Sequence, residues 1–113
     1  MASKICNLAK NKEIKFVFKQ GRASYDKIIG VRAVFNNKDR NRATIIVGLK
    51  VSKKAVERNK IKRRLKYIIW PILNKKTKNN HDIIIIALPP IKDKKFKDMK
   101  ESVTSLFKKL RIA

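Results

Sequence analysis

The densest run of side chains able to do chemistry is ERNKIKRRLKYIIW, Glu57 to Trp70. Its Arg and Lys side chains are cationic at neutral pH at their ordinary pKa values. They bind anions. Arg offers a planar fork that matches phosphate oxygens, and Lys a compact point charge. Asn59, among them, is a neutral donor-acceptor that can reach a nucleotide edge, a phosphate or a metal-bound water. Conventional catalytic groups are sparse elsewhere. His81 is the single histidine, in a predicted loop before a strand, and reads as a surface residue. The carboxylates, Asp82 included, are dispersed and form no ligand or acid-base cluster, and Asp82 is expected to cap its strand or pair with a Lys. Cys6 is the only cysteine, which excludes an intrachain disulfide and fits a reducing compartment; a small apolar side chain is its simplest reading. An autonomous protein nuclease therefore lacks its parts: no catalytic residue and no metal ligand is predicted.

The cations need an element to aim them. On a helical wheel, Leu65, Ile68 and Ile72 fall within about 40° of Ile61 and with it define a buried stripe. Arg58, Lys62, Lys66, Asn59 and Arg63 then follow around one flank, from about 60° to about 200° from Ile61. Lys60, Arg64 and Tyr67 take the other flank. Arg58 and Lys62 are like charges four residues apart and repel, and Glu57 is the one acidic residue of the helix. Such a face is costly in the free protein and is relieved by bound phosphates.

Around this helix, Asn11 is a plausible cap for KEIKFVFKQ, in which Ile14, Val17 and Phe18 share a face; Gly21 supplies the stop. Lys27–Phe35 alternates as a strand, with room for a short extra strand at Arg22–Tyr25. Ala43–Lys50 is a second strand, expected to pair with Lys27–Phe35 as an antiparallel hairpin across the polar turn Asn36–Arg42. Ser52 can cap the central helix, which should run to about Trp70 or a little beyond, with Pro71 ending or bending it. After a loop, Asn74 to His81, the continuous apolar run Asp82–Leu88 suits a strand buried on both faces, stopped by Pro89 and Pro90. Phe96, Met99, Val103, Leu106 and Leu110 repeat at helical spacing. The predicted order is αβββαβα: an α+β fold with one mixed sheet packed with helices, in a single domain over residues 1–113.

Composition agrees with a polyanion partner. The chain carries 31 Lys plus Arg against 8 Asp plus Glu, a formal net charge of +23, with 43% hydrophobic residues. That apolar content supports a core, and the charge repels itself unless compensated. Nucleic acid and an anionic membrane are the candidates. The longest apolar runs fall well short of the ~20 residues of a membrane span. The opening MASKICNLAK lacks the apolar stretch of a signal peptide, so the expected location is cytoplasmic. No helix-turn-helix or zinc spacing points to DNA.

The run VSKKAVERNKIKRRL, Val51 to Leu65, resembles the signature of the bacterial ribonuclease P protein subunit: Arg-Asn, two residues, Lys-Arg, here Arg58, Asn59, Lys62 and Arg63. NKEIKFVFKQGR resembles the family's first helix, VRAVFN its second strand, and HDIIIIALPP its Asp-led strand ending in Pro. The resemblance implies a protein that is not itself the catalyst. Its partners are a large catalytic RNA, which holds the Mg²⁺, and precursor tRNA, whose 5′ leader that RNA removes. It implies a fold like the second domain of a small-subunit ribosomal protein, with a left-handed βαβ crossover. It assigns Arg58, Asn59, Lys62 and Arg63, with the neighbouring Arg64, Lys66, Lys50 and Lys54, to RNA binding. It also places a leader cleft between the central helix, the first helix and one sheet face, with Phe18 matching its aromatic; a core Phe is the equal alternative for that residue. Ile14 stands where many members have a second Phe, Arg32 where some have Tyr, and Leu49 where the usual Ser-Lys-Lys has its first Lys. A monomeric protein in a one-to-one ribonucleoprotein follows. A ribosomal or other structural RNA-binding protein shares the charge and size and is the alternative.

Overall fold

The computed structural model describes residues 6–7, 11–36, 40–74 and 80–112. The elements are β1 (Cys6–Asn7), α1 (Asn11–Gln20), β2 (Arg22–Tyr25), β3 (Ile29–Phe35), β4 (Arg42–Ile46), α2 (Ala55–Leu73), β5 (His81–Ala87), a 3₁₀ turn (Pro89–Asp93) and α3 (Phe96–Lys109). The predicted α+β class and the order from α1 onward hold, and the two-residue β1 precedes them. The expected cap side chain of Asn11, the side chain of Cys6, and the middles of both predicted loops (37–39, 75–79) lie outside the described residues.

One five-stranded mixed sheet has the order β1-β4-β5-β3-β2. The expected β3–β4 hairpin is therefore absent. β5 enters between the two strands, antiparallel to β3 and parallel to β4. The physical reason lies in the strand itself. Ile83, Ile84 and Ile85 are all fully buried, and only a central position covers both faces of such a run. β3 does form a hairpin, but with β2, through Asp26: its Oδ1 accepts the backbone N–H groups of Ile28 and Ile29 at 2.9 Å.

The sheet separates two apolar layers. On one face Ile29, Val31, Ala33, Ile83 and Ile85 meet Ile61, Leu65, Ile68, Ile69 and Leu73 of α2 and Met99, Val103, Leu106 and Phe107 of α3. On the other, Val17 packs on Ile84 with Ile14, Val34 and Ile86 around them. Burying each such side chain is worth about 1.5–3 kcal/mol, which makes this double-sided packing the main holding force. The alternation of β3 predicted from sequence is what sorts its residues between the layers.

Some local readings change: His81, expected on the surface of a loop, is buried as the first residue of β5. α2 begins at Ala55, not beside Ser52. Buried Ser52 acts from upstream: its Oγ accepts the N–H of Lys54 at 3.1 Å and donates to Glu57 at 2.8 Å. The end of α2 agrees with expectation: it runs a little beyond Trp70, through Pro71 to Leu73, where Ile72 and Leu73 still gain by packing against the core while Pro71 stays exposed. Finally, Gly21 is not a left-handed stop, since no glycine has positive φ. A Cβ there would come 2.4 Å from the Val17 carbonyl oxygen and 3.0 Å from that of Ala33, so glycine is needed for the close approach of α1 to β3.

Candidate nucleic-acid interface

Two surfaces, on opposite sides of the sheet, carry the predicted residues. The first is the outer face of α2. Its core stripe fixes the helix, so the residues between the stripe positions must point outward. Asn59, Lys62, Arg63 and Lys66 are exposed, on one side, with Arg58 half-buried beside them. Arg64 is half-buried on the other flank and does not join this group. Lys50 and Lys54 are exposed in the segment that leads from β4 into the helix. Lys54 is the N-cap residue and makes no side-chain capping bond, so its charge sits at the positive end of the helix dipole. The charge distribution there is unfavourable for the free protein and favourable for an anion.

Arg58 has a second task. Its Nη1 donates to the Ser52 carbonyl at 3.0 Å and folds the helix entrance back on itself. Glu57 completes this corner. The Ser52 hydroxyl holds its carboxyl below the usual range, opposed by desolvation and helped by Lys92, Lys54 and Lys60.

The second surface is a cleft on the other face of the sheet. α1 crosses this face diagonally: Glu13 near its start pairs with Arg42, and its Phe18 carbonyl near its end accepts from Arg32 Nη1 at 3.0 Å. Beyond α1 runs the row Ile46–Ile86–Gly30–Tyr25, with Ile46 and Tyr25 exposed, Ile86 half-buried and Gly30 buried. Arg32 projects from the floor. Its guanidinium lies 5.3 Å from the Phe18 ring centroid and 5.9 Å from that of Tyr25, and its Nε donates to Tyr25 Oη at 3.0 Å. Phe18 is 40% exposed, which takes it out of the core and onto the cleft wall. Ile14 is half-buried beneath it against the sheet. Expected and observed clefts differ in one wall. α2 packs on the opposite sheet face, so the cleft is built from α1 and the sheet alone.

Tyr25 was not among the predicted site residues. Its ring covers Gly30, where a Cβ would come 2.1 Å from it. The sequence signals only a short strand at Arg22–Tyr25; the register that sets Tyr25 against Gly30 comes from the structure.

The carboxylates have structural partners. Asp82 takes Arg42 at 2.8 and 2.6 Å rather than a Lys, and this pairing, with Glu13 adding to it and desolvation opposing it, raises the Arg42 pKa. Asp26 accepts the Ser102 hydroxyl of α3; burial pushes its carboxyl up, but that bond, the two backbone N–H groups and Lys109 outweigh it and leave the pKa lowered. No group of three or more His, Cys, Asp and Glu suited to a metal occurs among the described residues.

A strongly cationic α+β protein with a basic helix face on one side of its sheet and exposed aromatics on the other is the class these features define. The family model for ribonuclease P matches residues 2–111. The chain is 33% identical over 105 residues to the ribonuclease P protein component of Clostridium botulinum, covering 93% of this chain and 94% of that one. It is 32% identical over 108 residues to that of Alkaliphilus metalliredigens, covering 93% of each. The RNase P protein of Staphylococcus aureus superposes with a TM-score of 0.85 at 27% identity, over 96% of this chain and 98% of that one. That of Thermotoga maritima, at 24% identity and a TM-score of 0.75, shares the fold. The chain belongs to the ribonuclease P protein family. Membership carries a role in tRNA processing as part of a ribonucleoprotein, with the ribonuclease P RNA as partner. No helix among the described residues is long and apolar enough to cross a membrane.

Proposed function

We propose that this protein docks on the ribonuclease P RNA through the outer face of α2 and receives the single-stranded 5′ leader of precursor tRNA in the α1 cleft. The RNA then removes the leader endonucleolytically. Arg58, Asn59, Lys62, Arg63 and Lys66, with Lys50 and Lys54 at the helix entrance and Arg64 on the far flank, contact RNA backbone. Phe18 and Arg32, with Ile14 below and Tyr25 beside them, hold an unpaired leader base by stacking. The observation that carries the reading is the placement of these two surfaces on opposite sides of one sheet in a member of this family. One protein can then bridge two RNAs.

In this reading the protein is the non-catalytic component, monomeric and one-to-one with the RNA, working in the cytoplasm. Mg²⁺ belongs mainly to the RNA in this reading, while Glu13 and Asp82 are engaged by Arg42, and Asp26 by Ser102 and backbone groups. The protein's cations neutralise phosphate and so lower the Mg²⁺ needed to fold and load the RNA.

The test is processing of a leader-bearing precursor tRNA at low Mg²⁺ by bacterial ribonuclease P RNA, with and without the protein, beside a protein-only lane. Stimulation that requires the RNA is expected. RNA binding without stimulation would favour a structural RNA-binding role, and cleavage by protein alone would overturn the non-catalytic assignment.

A further inference from the structure

The basic face of α2 does not end at Lys66. One turn further on, Tyr67, Trp70 and Pro71 line a shallow groove together with Arg63 and Lys66. Its floor is aromatic and apolar, its rim is cationic, and no acidic residue lines it. Tyr67 is 74% exposed, although its ring meets Phe96 of α3 at 5.9 Å in a tilted contact that fixes its orientation. Trp70 is half-buried and packed on the core, so its position is fixed as well. A large, oriented, solvent-facing aromatic beside two cations matches an aromatic ligand that carries negative charge. In RNA that is an unpaired base with its phosphate: the base stacks on Tyr67 and Trp70 and the phosphate meets Arg63 or Lys66.

We propose that this groove is a base-stacking subsite for an unpaired nucleotide of the ribonuclease P RNA. The inference rests on the docking of α2 on that RNA. It assigns the occupant to the catalytic RNA rather than to the precursor because the groove continues the α2 face, whereas the α1 cleft opens on the other side of the sheet.

Trp70 is the only tryptophan in the chain, so its emission reports on this groove alone. The experiment titrates full-length protein with bacterial ribonuclease P RNA in one arm and with precursor tRNA in another. It records Trp70 fluorescence, and the anisotropy of labelled RNA at several salt concentrations. Quenching by the catalytic RNA is expected. Tyr67→Ala should weaken that binding by about 5- to 100-fold with an unchanged salt slope, because a neutral ring releases no counterions. Tyr67→Phe should stay within about twofold of the parent, because the ring is kept. Tight binding with unaltered Trp70 emission, Tyr67→Ala binding like the parent, or quenching by the precursor alone would each overturn the subsite while leaving α2 docking intact. If the parent protein binds neither RNA, the docking reading falls with it.

Discussion

Arg58 and Arg63 share a helix face but not an environment. Arg63 is exposed, with its guanidinium available to a phosphate, whereas Arg58 is half-buried and spends one N–H on the Ser52 carbonyl. Their alanine variants should therefore differ. Arg63→Ala should lower the slope of log K against log salt by about one unit and leave the melting temperature unchanged. Arg58→Ala should lower the slope similarly and also destabilise the fold by about 1 kcal/mol, because the helix entrance loses a hydrogen bond. Salt titrations and thermal melts of both variants check this; an unchanged slope in both would remove α2 from the docking surface. In the cleft, Phe18 supports a guanidinium on one side and faces solvent on the other. Phe18→Ala should weaken binding of leader-bearing precursor by about 1–3 kcal/mol relative to mature tRNA. Equal losses for the two substrates would sink the cleft assignment.

At the scale of elements, two glycines set the cleft's shape. Gly21 lets the end of α1 lie against β3, and both atoms that an added methyl would strike are backbone oxygens, which cannot swing aside. Gly21→Ala should cost about 1–3 kcal/mol and, by lifting α1, disturb the bond from Arg32 to the Phe18 carbonyl, so stability and leader discrimination fall together. The atoms nearest a Gly30→Ala methyl belong to the Tyr25 ring, a side chain that can move, so discrimination should fall with a smaller loss of stability. Thermal melts paired with binding of precursor and mature tRNA separate the two. These elements also mark what the sequence could and could not disclose. The stripe Ile61, Leu65, Ile68 and the cations beside it were legible, because helical periodicity fixes a face without reference to anything else in the fold. The run Asp82–Leu88 was legible as a strand buried on both sides. Its consequence, that it must divide β3 from β4, was not, because strand neighbours depend on long-range pairing and the turn after Phe35 looked sufficient for a hairpin. Tyr25 was missed for the same reason: its place in the cleft comes from a register with Gly30. The wall wrongly given to α2 follows from not knowing on which face of the sheet each helix lies.

The whole molecule holds a net charge of +23, and its carboxylates tie elements together: Asp82 and Glu13 meet on Arg42, and Asp26 joins the β2–β3 turn to α3. Acid should loosen it in two stages, and the first belongs to His81. This residue is buried at the start of β5, its ring edge against Phe35, and its Nδ1 has no hydrogen-bond partner among the described residues. Burial, reinforced by the field of Arg22 and opposed by Asp82, holds its pKa below the ordinary 6.5. A histidine kept neutral by the fold binds its proton more readily once unfolded. The unfolded state therefore carries more protons, and stability rises with pH through that window. The stability due to neutral His81 is complete above about pH 6.5 and is lost as pH falls toward its depressed value in the fold. Asp26 and Glu57, whose pKa values are lowered, act later: their contribution is present above the ordinary carboxylate range and disappears as pH falls through it. Denaturant melts of the free protein at pH 7, 6 and 5 should thus show declining stability well before the carboxylates titrate. His81→Gln, which cannot take up the proton, should flatten the decline between pH 7 and 5 and leave the later acid loss in place. A parent and a variant with the same slope in that interval would remove His81 as its source and shift the acid sensitivity to the carboxylate ties.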